Sequence, residues 1–272
     1  MPIADDVSIH PTAIVSPEST IGRGCTIGPF SIIEAQVRMG SNCTVGAYSR
    51  IVSQVTMGDG NYVYSNVVLG DTPQHFSYKG QPTELLIGSG NTFRENVTIH
   101  RGSHVEGVTK IGDECYFMVG SHVAHDCQVG NKVVMANSAV LAGHVRVNDN
   151  VFISGFSGVH QFCRIGRGVM VTGLTALTQD APPFSTIGGR NLVVGANLVG
   201  LRRNGFSRTD IQAVRTAYKI IYRQDLILAE ALIKLESELG SHPLVQEIIE
   251  FCRTTKRGIC RGATDENNEH AD

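Results

Sequence analysis

The sequence has no excess of either charge: 23 lysines and arginines stand against 25 aspartates and glutamates, a net charge of −2. Such a balance leaves no electrostatic footprint for a nucleic acid partner. Neither end carries a signal peptide or a long apolar span, so the expectation is a cytoplasmic chain with no stable membrane insertion. The seven cysteines match no zinc-ligand spacing, which argues against a structural metal and, with the missing leader, for a reduced setting. Also missing, over the first two thirds of the chain, are the alternation of ordinary strands and the spacing of amphipathic helices.

What replaces them is a six-residue beat. Thirty positions recur at every sixth residue from Ile3 to Leu177, and only His75 and Gln81 among them are not apolar. A hexad period is a signature of a parallel β-helix, in which each hexad forms one side of a triangular coil and turns stack about 4.8 Å apart. The aliphatic series is then a core ladder, each buried side chain contributing roughly 1.5 to 3 kcal/mol before entropy is subtracted. The position four residues after each aliphatic is small at Ala13, Ser19, Ser31 and Ser49, and holds Cys25, Cys43, Cys115, Cys127 and Cys163, read as small buried thiols. Cys25 and Cys43 are expected to stack on adjacent coils, where a disulfide is sterically open. The thirty glycines are assigned to corners, where positive φ suits glycine.

Two segments interrupt the beat, and insertions in a solenoid gather on its functional side. One covers residues 70–86 and carries Gln74, His75, Tyr78 and Lys79; the other covers 102–110. The β-helix is expected over residues 1–190 with these two loops, a helical C-terminal domain over 191–261, and a polar, acidic, disordered tail over 262–272. Within the helical part, Ser207 opens a capping box with Asp210, ahead of an apolar face at Ile211, Val214, Ala217, Tyr218 and Ile221. Further helices are expected from about Leu226 to Leu239 and from Pro243 to Cys252.

Counted on the hexads, His125, His144 and His160 fall on the same side of the prism on successive coils. His122 ends the preceding hexad, and His100 is placed on the neighbouring side one coil earlier. Imidazoles gathered in this way can ligate a metal, act as acid or base, or decorate a polar groove. The acid or base role in a substrate groove leads.

Seven ordered motifs then carry a resemblance. They are His10-Pro11-Thr12-Ala13-Ile14-Val15, Val97-Thr98-Ile99-His100-Arg101-Gly102, His122-Val123-Ala124-His125-Asp126-Cys127, Leu141-Ala142-Gly143-His144-Val145, Val159-His160-Gln161-Phe162-Cys163, Gln179-Asp180-Ala181-Pro182-Pro183, and Gly200-Leu201-Arg202-Arg203 followed by Gly205-Phe206-Ser207. From about His10 to Arg257 the chain resembles the acyl-[acyl-carrier-protein]:UDP-N-acetylglucosamine O-acyltransferases that open lipid A biosynthesis. The resemblance implies a left-handed coil, a homotrimer, acyl carrier protein and UDP-N-acetylglucosamine as partners, and no cofactor or metal. It implies His125 as general base for the sugar 3-hydroxyl, Asp126 as the group orienting that ring, and the Gly143 N–H as oxyanion donor. His100, His122, His144, His160 and Gln161 would line the groove, with Gln74 and Tyr78 from the first loop, Asn197 and Arg203 toward phosphates, and Gly173 at the far end of the acyl groove. A glycine at that last point leaves room for a longer 3-hydroxyacyl chain.

Three positions depart from the family pattern. His75 and Ser77 stand where an acidic residue and a lysine are common, and Val199 stands where a glutamate is often found. Each change removes a polar contact expected near the sugar, so a related UDP-sugar N- or O-acyltransferase with a changed acceptor stays open. A metal-dependent β-helix hydratase is the more distant alternative. It is disfavoured because no two histidines have four residues between them, the spacing expected of the gamma carbonic anhydrases.

Overall fold

A computed structural model describes residues 3–262. Twenty-six short strands from Ser8 to Leu177 fall into three parallel stacks that form three faces of a prism. Face I begins with Ser8–Ile9, face II with Ile14–Val15 and face III with Thr20–Ile21, and the chain passes from I to II to III on every turn. Equivalent residues pair eighteen positions apart, as in Thr26 with Thr44 and Val134 with Phe152. This is the left-handed parallel β-helix expected from the hexads.

The ladder residues point inward. Ile27, Ile51, Leu69, Ile99, Met135 and Leu141 are almost completely buried, and Phe93 stacks on Phe117 with ring centroids 5.2 Å apart. The small position also points inward: Ser19, Ser31 and Ser49 and all five cysteines there are buried. All seven cysteines are free thiols; Cys25 and Cys43 do stack, the Cys43 N–H donating to the Cys25 sulfur at 3.4 Å, while their thiols donate to the Gly40 and Gly58 carbonyls.

The corners bear out the expectation for the glycines only in part: Gly24, Gly60, Gly90, Gly120 and Gly168 do hold positive φ there. The left-handed residue of each corner, three positions after the ladder residue, is mostly not glycine: Phe30, Gln36, Asn42, Tyr48, Asp126, His144 and Phe162 all hold φ between 56° and 65°. Many glycines instead follow face III directly, where coils approach too closely for a side chain. A Cβ on Gly22 would lie 2.6 Å from the Gly40 carbonyl carbon, and one on Gly112 would lie 2.6 Å from the Gly130 oxygen.

The insertions are shorter than the broken periodicity indicates, because the chain re-enters the coil through longer strands. Val68–Asp71 and Glu84–Ile87 bracket the first, and Thr98–His100 and Val108–Ile111 the second. Val105 keeps the hexad phase by coincidence and is exposed at the loop tip. The second insertion adds one hexad that forms no side, so Ile99 pairs with Val123. His100 therefore lies on the same face as His125, one coil earlier, and not on the neighbouring face.

The sheet also runs past residue 190. Ser185–Gly188 pairs antiparallel with Leu192–Ala196, which pairs in turn with Arg261–Gly262. These strands cover the last coil before α1 (Leu198–Arg203), α2 (Arg208–Tyr222), α3 (Leu228–Leu239) and α4 (Pro243–Arg253) pack beside it. The Ser207 and Asp210 capping box is complete in both directions. Of the tail expected to be disordered, residues 263–272 lie outside the described residues, and Gly262 is paired in the sheet.

Candidate active site

The strand His122–Val123 ends face II, and the next four residues turn the corner onto face III. At that corner the Asp126 backbone takes the left-handed conformation and places its carboxylate against His125, with Nδ1 to Oδ2 at 2.8 Å. One coil on, His144 holds the same backbone position, its Nε2 3.6 Å from Asp126 Oδ2, and its ring meets that of His125 edge-on at 5.2 Å. One coil further, Phe162 stacks flat on His144 at 4.6 Å. The corner column is thus Asp126, His144 and Phe162, eighteen residues apart. His160 sits two positions out of that register, exposed, its nearest partner the carbonyl of equally exposed Gln161 at 3.2 Å.

The second insertion wraps the carboxylate. Ser103 donates its hydroxyl to Asp126 Oδ2 at 2.6 Å and its N–H to both oxygens, while the Asp126 N–H donates to Thr109 Oγ1 at 2.8 Å. His104 Nδ1 approaches Oδ1 at 3.2 Å. The first insertion reaches the same corner, where His75 meets the His125 ring edge-on at 5.0 Å. Tyr78 anchors that loop by accepting from Arg101 at 3.0 Å, and Gln81 ties the two loops together through the Ser103 carbonyl. Gln74 is exposed.

Burial works against ionisation of Asp126, yet the hydrogen bonds from His125 and Ser103, with His144 nearby, outweigh it and hold the carboxyl well below the usual range. An ionised carboxylate only accepts, so His125 Nδ1 must carry the proton. The other ring nitrogen, Nε2, is then free to accept one. Burial pushes the neighbouring imidazoles toward the neutral form: His122 falls to about 4, with repulsion from His100 adding to it, and His100 and His144 shift the same way. His122 Nδ1 shares a 2.8 Å hydrogen bond with Thr98 Oγ1, and its ring meets His100 at 4.9 Å. Burial pushes the Cys127 thiol up to about 12, which disables it as a nucleophile.

Gly143 lies directly under the base. A Cβ there would meet His125 Cε1 at 2.3 Å. The N–H groups of Ala142 and His144 donate to the Val159 and His125 carbonyls, whereas among the described residues the Gly143 N–H has no such acceptor.

Three expected residues lie elsewhere in the chain. Gly173 turns the corner from face I to face II, where a Cβ would meet only the Gly155 oxygen at 3.6 Å, so backbone strain does not require glycine there. Asn197 caps α1: its Oδ1 accepts from the Gly200 N–H at 2.9 Å and its Nδ2 donates to the Gly168 carbonyl at 3.0 Å. Its side chain therefore serves the helix start, while Arg202 and Arg203, both exposed, are the cations at the end of the same helix. The sequence points to His75 only as a residue of the first loop that departs from the family pattern, and it does not single out Ser103 or His104. The signal for all three is their place in two loops that leave the same corner on successive coils.

The sequence spacing holds no metal motif, yet stacking brings ligand atoms of His125, Asp126 and His144 within 4.8 Å of one another. An open groove of about 1230 Å³ runs from this corner along face III, lined by His104, Asp126, His144, Phe162, Arg146 and Lys256. No helix among the described residues is long and apolar enough to cross a membrane.

Known proteins are similar to this chain along most of its length. Residues 180–260 match the family described as UDP N-acetylglucosamine O-acyltransferase, domain 2, and residues 3–35 match the bacterial transferase hexapeptide repeat. The acyl-[acyl-carrier-protein]–UDP-N-acetylglucosamine O-acyltransferase of Anaeromyxobacter sp. (strain Fw109-5) is 48% identical over 257 residues, 94% of this chain and 100% of that protein. Its counterpart from Janthinobacterium sp. (strain Marseille) is 47% identical over 93% of this chain and 99% of its own. The UDP-N-acetylglucosamine acyltransferase structure from Bacteroides fragilis 9343 superposes with a TM-score of 0.89 at 37% identity, covering 93% of this chain and 99% of that one. The enzyme from Campylobacter jejuni gives 0.87 at 34% identity with the same coverage. The chain belongs to the acyl-[acyl-carrier-protein]–UDP-N-acetylglucosamine O-acyltransferase family.

Proposed function

We propose that the protein transfers an (R)-3-hydroxyacyl group from acyl carrier protein to the 3-hydroxyl of UDP-N-acetylglucosamine, the first step of lipid A biosynthesis. The observation that carries this reading is the buried His125 and Asp126 pair in a chain so similar to enzymes of that name. His125 Nε2 takes the proton of the sugar hydroxyl as its oxygen attacks the thioester carbonyl, a role typically worth 10² to 10⁴-fold. Asp126 fixes the tautomer and steadies the imidazolium that forms. The Gly143 N–H stabilises the tetrahedral oxyanion; loss of such a donor typically costs about 10² to 10³-fold. The imidazolium then returns its proton to the leaving thiolate. No metal or covalent enzyme intermediate is required.

The working unit is a homotrimer in the cytoplasm. His125 stands at the corner between faces II and III, while Gly173 stands at the corner between faces I and II beside exposed Phe156 and Leu174. One groove can hold both only if the second corner comes from another copy, and the exposed apolar side chains there suit burial against it. His100, His122, His160 and Gln161 line the sugar side of that groove, with Gln74 and Tyr78 of the loop above it and Arg203 toward the diphosphate.

The test is to incubate the purified protein with acyl carrier proteins of several chain lengths and a panel of UDP-sugars, and to read product masses. Transfer to UDP-N-acetylglucosamine is expected. Acylation solely of an amino-substituted sugar would instead favour a changed acceptor, the reading that His75, Ser77 and Val199 support.

A further inference from the structure

The imidazoles around Asp126 outnumber what proton transfer needs. One base and one orienting carboxylate suffice, yet His104 and His144 also approach the same carboxylate, from a loop and from the next coil. We infer that His104, His125, Asp126 and His144 form an inhibitory binding site for a divalent transition metal of the zinc class. Zinc prefers four ligands in a tetrahedron, with nitrogen or oxygen at 2.0 to 2.2 Å, so donor atoms stand about 3.3 Å apart. The separations from the Asp126 oxygens bracket that value: 2.8 Å to His125 Nδ1, 3.6 Å to His144 Nε2 and 3.2 Å to His104 Nδ1. Ligand atoms of three of the four residues already lie within 4.8 Å of one another, and His104, 65% exposed on its loop, closes the fourth position by a side-chain adjustment. Three imidazoles and one carboxylate are a borderline donor set that suits zinc, cobalt or nickel and not magnesium or calcium.

The chemistry of the base makes such an ion an inhibitor. Binding at Nδ1 displaces the proton that His125 donates to Asp126, and solvent carries that proton to Nε2, so the ring stays neutral but changes tautomer. The metal-bound ring then holds its single proton on Nε2, and a nitrogen that carries a proton cannot accept one from an alcohol. The ion also draws Asp126 from its orienting role. Occupancy and transfer are therefore mutually exclusive. This second half rests on the reading of His125 as general base, whereas binding itself does not.

Chelator-stripped full-length protein should be titrated with cobalt(II), whose visible spectrum reports tetrahedral coordination, and with zinc(II) by calorimetry. The expected result is one ion per chain, a tetrahedral cobalt spectrum, and affinity weaker by about tenfold or more in His104→Ala and in His144→Ala, since even the supporting shell of a metal site is worth 10 to 100-fold. Transfer should fall in step with occupancy and return on chelation. Absence of stoichiometric binding at millimolar cobalt, or binding unchanged in both variants, overturns the site. Tight binding that both variants weaken, with transfer unaffected at full occupancy, overturns the inhibition and the assignment of His125 while leaving the site standing.

Discussion

His125 Nδ1 and Asp126 Oδ2 lie 2.8 Å apart in a corner that leaves both side chains buried. The pair is set by backbone as much as by side chain, since Asp126 reaches the ring through a left-handed conformation with φ of 60°. Replacing His125 by alanine removes the proton acceptor, and kcat should fall by about 10² to 10⁴-fold. Circular dichroism and the oligomeric mass should stay those of the parent, because the ladder residues beneath are untouched. Full activity in that variant would take His125 out of the mechanism.

Gly143→Ala tests the space beneath the same ring. The new methyl would fall 2.3 Å from His125 Cε1, so the imidazole must turn away from Asp126. Transfer should drop by about 10²-fold or more, consistent with the cost of misplacing a catalytic group by an ångström. Stability should change little, as the collision is with one side chain. A crystal structure of the variant should show the ring displaced; an unmoved ring with full activity refutes the account.

Acid should weaken the fold before it protonates Asp126. His122 titrates at about 4 in the folded chain, pushed down chiefly by burial, against roughly 6.5 when unfolded. Between those values the unfolded chain binds a proton that the folded chain refuses, so stability falls as pH falls through that window, by roughly 3 kcal/mol in all. His100 and His144 are lowered too and act in the same direction, and Asp126 adds its loss only below its unfolded value. Urea midpoints at several pH values should show a shallower slope for His122→Gln than for the parent. Identical slopes would mean that His122 is not held neutral.

The core was legible because period and burial report the same thing: every sixth side chain must point inward, whatever the function. The site was half legible. His125 and His144 could be placed by counting, but the count failed across the second insertion, where a hexad that makes no side moved His100 onto the face of His125. It also failed at single-residue scale, since His160 and Phe162 share a hexad and only Phe162 stacks on His144. Ser103 and His104 were invisible, and His75 was marked only as a loop residue, because loops carry no period and their reach depends on where two insertions fold back. Asn197 could be picked out but not given a role by sequence: its side chain caps α1, and helix caps and phosphate sites use the same residue types.

The separation of His125 and Gly173 on different corners yields a test that no single-chain site can satisfy. Gly173→Trp places an indole where a Cβ meets only the Gly155 oxygen at 3.6 Å, which the backbone tolerates but which blocks the proposed acyl path. His125→Ala leaves that path open and removes the base. Each variant alone should be nearly inactive. Unfolded together in equal amounts and refolded, they form mixed trimers in which an intact base faces an intact acyl path whenever a Gly173→Trp chain supplies the base corner and a His125→Ala chain the other. Random assembly makes about a quarter of the grooves whole, so about a quarter of the parent activity should return. If each chain held a complete site, mixing would restore nothing, and the groove would have to be rebuilt on one corner alone.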